Sequence, residues 1–470
     1  MLSSGRDLCY ETRTHAGLES SAFLLFYYGF VMTFKPDRFR RKPKRTGRKP
    51  AKRVGPPVER TVRVSSLGRH CDGIATEEGG GNQRRHYVPF ALPEELVRIR
   101  STGKQVELLD VIEPSPDRIK PVCPHYRRCG GCAAQHVGNA AYRNWKRDVV
   151  GTALDHRDLY VSVGDLVDAH GEGRRRMTLH VRFVKGRILA GFMQANSRDL
   201  IDLDTCPIVV PALQNAPEIA RRLAAPFAAS SRGLDIAFTA SDEGLDCDIR
   251  GVGDIGYDIH VAIADLADQL DLARVTIDGV IELERRKPVL VINGLRVPLP
   301  PAGFLQATTL GEETLAGLVL AEVGNARKVA DLFCGIGPFA LRLATHAAVY
   351  AADSNETAIK ALRDAAHHTP GLKSVETEVR DLFRNPVFHE DLNRFDAVIF
   401  NPARAGAEAQ AEELAASDVP LVICVSCDPA TLARDAEILV EGGYDFESAT
   451  PVDQFRYSPH VETIAVFRRS

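Results

Sequence analysis

The chain has 470 residues, 44% of them apolar and 26% charged, with a net charge of −3. At about 100–200 residues per domain this is material for two to four cored domains, and it excludes collagenous, wholly disordered and disulfide-scaffold chains. The charge is unevenly spread: Lys35 to Arg53 hold 11 Lys/Arg against one acid (Asp37), a local +10 that points to a polyanionic partner, usually nucleic acid.

The first apolar run covers residues 22–32. Eleven residues fall far short of the roughly 20 that span a bilayer. Asp7, Glu11 and Glu19 in the preceding flank argue against a secretory leader. Met32 reads as the start of the protein, with 1–31 as upstream sequence. Residues 33–57 are rich in Lys, Arg, Pro and Gly, so 1–57 is expected to be a disordered basic tail. Five short β-like runs follow, at 61–64, 73–76, 87–90, 96–100 and 106–112, and predict a small barrel of the OB type over 58–113; periodicity alone does not separate this from another small β domain. Residues 114–300 open on a cysteine cluster, continue through alternating runs such as 178–184 and 188–193, and read as a mixed, mainly β central domain.

From 301 to 470 the pattern is clearer. Apolar runs at 329–333, 348–352, 375–379, 395–400 and 421–425 alternate with helical segments such as 338–344 and 356–367, predicting an α/β, doubly wound parallel sheet. Ligands of such sheets bind at the carboxyl ends of the strands. Asp331-Leu-Phe-Cys-Gly-Ile-Gly-Pro-Phe-Ala340 places Gly335 and Gly337 between a strand and a helix, where a missing Cβ lets backbone approach a ligand. Asp353 ends the next strand, suited to ribose hydroxyls, and Asp381 ends the third, suited to an adenine amino group. An ordinary βα turn would share the Gly-x-Gly; three acids at successive strand ends favour a nucleotide-type ligand. No third Gly follows and Pro338 stands at the helix start, which disfavours a dinucleotide pyrophosphate and favours S-adenosylmethionine.

Val425-Ser-Cys-Asp-Pro-Ala-Thr places Cys427 where a strand gives way to a helix, a position whose positive end can lower a thiol pKa; position alone fits a small buried cysteine equally well. Cys424, inside the apolar run, reads as a buried core residue. Asn401-Pro-Ala-Arg-Ala-Gly406 follows the fourth strand and would face the same crevice. Glu462, in His460-Val-Glu462 before the terminal strand, reads equally as a base or as a solvated strand-end acid. Cys123-x5-Cys129-x2-Cys132 gathers three thiols, with Gly130 and Gly131 allowing a tight wrap; such spacings bind soft metals or iron–sulfur clusters, and zinc fits less well because no second short pair is visible. Cys206 is the leading fourth ligand and Cys247 the next. Arg174, Arg175 and Arg176 read either as a phosphate grip or as a solvated charged face.

The runs 331–339, 401–406, 426–435 and 460–462, together with Gly303-Phe-Leu-Gln306, resemble in residues and order the RNA uracil-5-methyltransferases. The resemblance implies a C-terminal Rossmann-like class I methyltransferase domain (301–470) in which Cys427 adds to C6 of a uracil, C5 takes the methyl group of S-adenosyl-L-methionine, and Glu462 removes the C5 proton. It implies a cofactor pocket lined by Gln306, Phe333, Asp353, Asp381 and Asn401, beside Gly335 and Gly337. The 58–113 barrel resembles the TRAM RNA-binding domain. A [4Fe–4S] cluster held by Cys123, Cys129, Cys132 and Cys206 is implied for the central domain, as in the cluster-containing branch that acts on 23S rRNA; cluster-containing tRNA enzymes are the alternative. A cytoplasmic monomer with RNA, and no membrane, as its partner is expected. The chain departs from the family's Asp-Pro-Pro-Arg at Asn401-Pro-Ala-Arg404, from its usual Asn at Pro338 and again at Asp428. A non-catalytic RNA-binding relative is therefore the rival from another class.

Overall fold

In the computed structural model the described residues are 56–76, 85–195, 197–230 and 232–469. The apolar run at 22–32 and the basic tail up to residue 55 lie outside them. Among the described residues no helix is long and apolar enough to cross a membrane.

The first element group is a five-stranded antiparallel sheet of β1 (Val58–Leu67), β2 (Asp72–Thr76), β3 (Arg85–Pro89), β4 (Leu96–Thr102) and β5 (Gln105–Glu113), ordered β3-β2-β1-β4-β5. Strand β1 serves both halves: 58–63 pair with β4, and a register shift between Val64 and Ser66 hands the rest to β2. Such a bulge bends a strand and lets a short sheet curl. β3 lies against β5, and Val62, Val64, Val88, Val97 and Ile99 fill the interior. The five short runs read from the sequence coincide with these five strands, whose buried and exposed residues largely alternate.

The stretch expected as one central domain divides its allegiance. Helix α1 (Asn139–Asp155) buries Tyr142, Trp145, Val149 and Val150 in the same core as the C-terminal strands, and β6 (Val167–Asp168) forms the edge of the C-terminal sheet. The remainder is a seven-stranded mixed sheet. Its elements are β7 (Arg176–Val184), β8 (Arg187–Met193), β9 (Leu200–Asp202), α2 (Ala216–Ala224), β10 (Leu234–Ser241), β11 (Gly244–Arg250), α3 (Tyr257–Gln269), β12 (Arg274–Ile277) and β13 (Val280–Glu284), with strand order β13-β12-β11-β10-β7-β8-β9. A hairpin of β14 (Val289–Ile292) and β15 (Leu295–Pro298) and helix α4 (Thr309–Val323) lead into the last group.

There β16 (Lys328–Leu332), α5 (Ala340–Leu343), β17 (Ala348–Asp353), α6 (Glu356–His367), β18 (Val375–Val379), α7 (His389–Leu392), β19 (Ala397–Phe400), α8 (Glu408–Ala415), β20 (Leu421–Ser426), α9 (Pro429–Glu441), β21 (Asp445–Asp453) and β22 (Glu462–Arg468) follow in chain order. The sheet runs β18-β17-β16-β19-β20-β22-β21-β6; the first five strands are parallel, and β22 is antiparallel between β20 and β21. All six residues of β20 are buried, the continuous apolar run of a strand covered on both faces. Alternate residues divide between two cores: Ala330, Leu332, Val398 and Phe400 on one face, Val329, Ala397 and Ile399 on the other. The chain order reverses beside β16, between β17 and β19, and that crevice is where such sheets bind ligands.

Candidate active site

The turn after β16 is built by conformation as well as by composition. Phe333, Gly335 and Gly337 all have positive φ, at 61°, 56° and 82°. A Cβ on Gly337 would run into Leu362 of α6, whereas one on Gly335 would meet nothing within 4 Å, so Gly335 leaves its space open to a ligand. Asp331 is fully buried and accepts from the Ala340 N–H at 2.9 Å, tying the start of α5 to β16; burial pushes its carboxyl up to about 8. Asp353 accepts from the N–H groups of Gly335 (2.9 Å) and Asn355 (2.8 Å), leaving further lone pairs toward the crevice. Phe333 packs its ring on half-exposed Phe383 at 5.2 Å, and Asp381 accepts from the Phe383 N–H at 3.1 Å. Asn401 follows β19 and donates its N–H to the Leu332 carbonyl at 3.1 Å. The turn, both acids and Asn401 thus stand at the carboxyl ends of neighbouring strands.

Register brings the thiol to the carboxylate. β20 and β22 pair with Val425 opposite Ile464 and Ser426 opposite Thr463, so the next step puts Cys427 beside Glu462, although 35 residues separate them in the chain. Glu462 is buried, and burial pushes its carboxyl up to about 7; a hydrogen bond from Gln454 and the charge of Arg404 pull the other way. It is therefore no solvated strand-end acid. Its Oε1 accepts from Gln454 Nε2 at 3.0 Å, while Oε2 has no partner among the described residues.

The thiol corrects one expectation. Cys427 does sit before α9, but burial and the nearby Glu462 push it up to about 11, and Arg404 only partly offsets them. The helix end is already engaged: Asp428 caps it through the Ala430 N–H at 2.9 Å and takes an ion pair from Arg69, in the turn after β1, at 2.9 Å. Arg404 donates to His460 Nε2 at 2.9 Å, and His460, pushed down to about 4 by burial and by Arg404, is the neutral acceptor.

Several supporting residues carried no sequence signal. Lys146 of α1 is fully buried and reaches Asp453 at 2.9 Å and the carbonyls of Phe455 and His460; Tyr142 donates to Asp453 at 2.6 Å. Together they hold the 453–460 loop that delivers Glu462. Two members of the arginine run, Arg175 and Arg176, are engaged within the protein and are neither a phosphate grip nor a solvated face. Arg175 is buried, pairs with Glu312 at 2.6 Å and donates to the Gln306 carbonyl at 3.0 Å; Arg176 donates to the Gly303 carbonyl at 3.0 Å; Arg174 lies over the Phe455 ring at 5.6 Å. Two of the three brace the segment that carries Gln306.

Cys123, Cys129, Cys132 and Cys206 line one enclosed apolar cavity with Tyr126, Phe192 and Leu203. Burial, then the mutual repulsion of the neighbouring thiols, pushes Cys132 up to about 12; burial alone leads for Cys206, which reaches about 11. Cys247, the alternative fourth ligand, is instead buried in the central core on β11. Among the described residues no three His, Cys, Asp or Glu side chains form a ready metal site. A groove of about 1220 Å³ between the barrel turn, α1 and the flank of α9 sets Arg69, Arg85 and Arg157 against Asp72, Asp117, Asp148 and Glu437. That balance is not the make-up of a phosphate channel.

Comparison with known proteins points the same way. The family model described as tRNA (uracil-5-)-methyltransferase matches residues 304–470. The chain is 42% identical over 408 residues to an uncharacterized RNA methyltransferase of Brucella suis, covering 87% of this chain and 97% of that protein. It is 27% identical over 433 residues to the 23S rRNA (uracil(1939)-C(5))-methyltransferase of Pectobacterium atrosepticum, covering 87% and 93%. Its fold is similar to that of the Pyrococcus abyssi tRNA (uracil-54, C5)-methyltransferase, solved with S-adenosyl-L-homocysteine, at a TM-score of 0.65 and 21% identity over 87% of this chain and all of that one.

Proposed function

Because the chain belongs to the RNA uracil-5-methyltransferase family and has its S-adenosylmethionine-dependent fold, we propose that it makes 5-methyluridine in 23S rRNA, with Cys427 as nucleophile and Glu462 as base. The observation that carries this reading is the β20–β22 register, which brings a part-exposed thiol against a buried carboxyl next to the cofactor crevice. The family fold, the open space at Gly335 and the free lone pairs of Asp353 suit S-adenosylmethionine, with Gln306, Phe333, Asp381 and Asn401 completing its walls. Bound there, the cofactor supplies an electrophilic methyl group.

C5 of uracil is a poor nucleophile. Addition of the Cys427 sulfur to C6, with loss of the thiol proton, places electron density on C5 and splits one hard step into easier ones. C5 then takes the methyl group with S-adenosylhomocysteine as the leaving group, ionised Glu462 Oε2 takes the C5 proton, and the C6–S bond breaks to release the thiolate, which regains a proton from solvent. A carboxyl held near 7 is matched to proton transfer at neutral pH. Arg404 keeps positive charge beside the sulfur as it ionises.

The similarity to the Pectobacterium enzyme over nearly its whole length favours 23S rRNA over tRNA as substrate. The free thiols of the described residues suit a reducing cytoplasm. The 58–113 barrel is proposed as the TRAM-type RNA-binding unit. Cys123, Cys129, Cys132 and Cys206 would hold a [4Fe–4S] cluster: four part-exposed thiols line one cavity, the convergence a thiolate-ligated cluster requires, with Arg174 as the nearby cation. Methyl transfer needs no redox step, so these cysteines are assigned a bracing role.

RNA substituted with 5-fluorouridine tests the reading, since fluorine at C5 cannot leave as a proton and the adduct stays trapped. The intact protein should form a covalent complex in the presence of S-adenosylmethionine, and Cys427→Ala should form none. A protein that never forms one is the non-catalytic RNA binder that Asn401 and Ala403 suggest. Mapping 5-methyluridine in cells with and without the gene then separates 23S rRNA from tRNA.

A further inference from the structure

We propose that Gln454 is a positioning residue: its amide holds one oxygen of Glu462 so that the other is left to take the C5 proton, and the same amide ties that carboxyl to Gln306 on the cofactor side. This rests on the reading of Glu462 as the base. Gln454 is fully buried in the connection between β21 and β22, with Gln306 and Glu462 also buried beside it. Its orientation is set by the backbone. The Ala307 N–H donates to Oε1 at 2.7 Å, so the other end of the amide must be the donor. Both donors of that end are used: Nε2 reaches Gln306 Oε1 at 2.7 Å and Glu462 Oε1 at 3.0 Å. A flipped amide would turn an N–H toward the Ala307 N–H and leave two buried acceptors without donors, so the arrangement has a single solution.

The consequence falls on Glu462. Oε1 is occupied and Oε2 is buried without a partner among the described residues, so only Oε2 is free to accept a proton. The charged and titratable groups facing this carboxyl are Arg404 from the loop after β19, Cys427 after β20, and Cys424 within β20, whose thiol burial keeps neutral. Among these only Arg404 and the Gln454 amide favour the ionised form. Removing the amide donor therefore raises the pH at which Glu462 ionises. Gln306 and Glu462, from opposite sides of the reaction, share one rigid amide and cannot reorient independently.

The test is the pH profile of tritium release from unmodified rRNA and tRNA transcripts labelled with [5-³H]uridine. Gln454→Met keeps the volume but has neither donor nor acceptor. The acid limb should move up by about one pH unit, release at pH 7 should fall about fivefold, and the methylated protein–RNA adduct should accumulate, because methyl transfer precedes proton loss. Gln454→Glu, isosteric and still able to accept from Ala307, sets a second carboxyl against Glu462 and should move the limb further; it carries the same test where the methionine variant does not fold. In a Glu462→Gln background, Gln454→Met should add nothing to the loss of tritium release. An unmoved limb with no added adduct in the folded variants, while Glu462→Gln alone stops release, overturns the proposal and leaves the base assignment standing. Release that survives Glu462→Gln removes the base assignment, and the proposal with it.

Discussion

Burial acts alike on the thiol at the head of α9 and on thiols at the central cavity, pushing Cys427 and Cys206 each up to about 11 and Cys132 to about 12. Their neighbours differ. The cavity cysteines face chiefly one another, so ionising one raises the cost of ionising the next, and Arg174 only partly offsets this at Cys206. Cys427 faces a cation, Arg404, and a carboxyl, Glu462. A raised thiol pKa therefore does not separate a reactive cysteine from a ligand. The surroundings do, since four thiols around one cavity are arranged to converge on one ligand and a thiol between a cation and a base is placed to add and to leave.

The largest effect that would break this contrast comes from Glu462→Gln. Turnover should fall by about 10²- to 10⁴-fold while the methylated adduct still forms, read on denaturing gels. The same variant changes the pH dependence of stability. The folded carboxyl is raised to about 7 from 4.5, so the unfolded chain releases its proton first; the stability it contributes is full below about pH 4.5 and is lost as pH rises through 7. Denaturation across that range should show the wild type losing about 3 kcal/mol more than Glu462→Gln. Equal slopes would mean that the carboxyl is not held in a dry site.

The next effect sharpens the other half of the contrast. Cys206→Ser should remove bound iron from anaerobically purified protein, whereas Cys247→Ser should keep it. The latter should instead lose about 1–3 kcal/mol in denaturant melts, as a hydroxyl without a partner is placed in a packed core. Iron retained in Cys206→Ser would separate that cysteine from the proposed ligand set.

The parallel strands, the turn at Phe333–Gly337 and the acids after them were legible in the sequence because each is local: an apolar run, a Gly-x-Gly and a strand-end carboxylate are read within ten residues. Cys427 was legible as a position but not as a titrating group, since its pKa depends on burial, then on Glu462, which reaches it through sheet register, and on Arg404 from the loop after β19. Lys146, Tyr142 and Gln454 were not legible at all. A lysine on an amphipathic helix looks solvated until Asp453, some 300 residues away, is packed against it. The arginines at 174–176 misled for the same reason, since Glu312 buries Arg175 from a distance no local pattern encodes. The division of 114–300 between two sheets was hidden too, because α1 has the same amphipathic pattern whichever core it covers.

The smallest effect is on the reactivity of Cys427 in the free protein, and it probes the contrast most directly. A thiol that titrates near 11 has about 10⁻⁴ of its population ionised at pH 7, so its alkylation by iodoacetamide should rise about tenfold per pH unit through pH 9 and 10. Mass spectrometry of the 427 peptide, with Cys427→Ser as the blank, reads this directly. Unfolded protein should level off above about pH 9, since a free cysteine titrates near 8.5. Arg404→Ala removes the charge that favours the thiolate and should slow alkylation; Glu462→Gln removes the charge that opposes it and should speed it. Moves in these opposite directions would show that the thiol is governed by its two charged neighbours, whereas identical curves would leave burial alone in control and make Cys427 no different from the cavity cysteines.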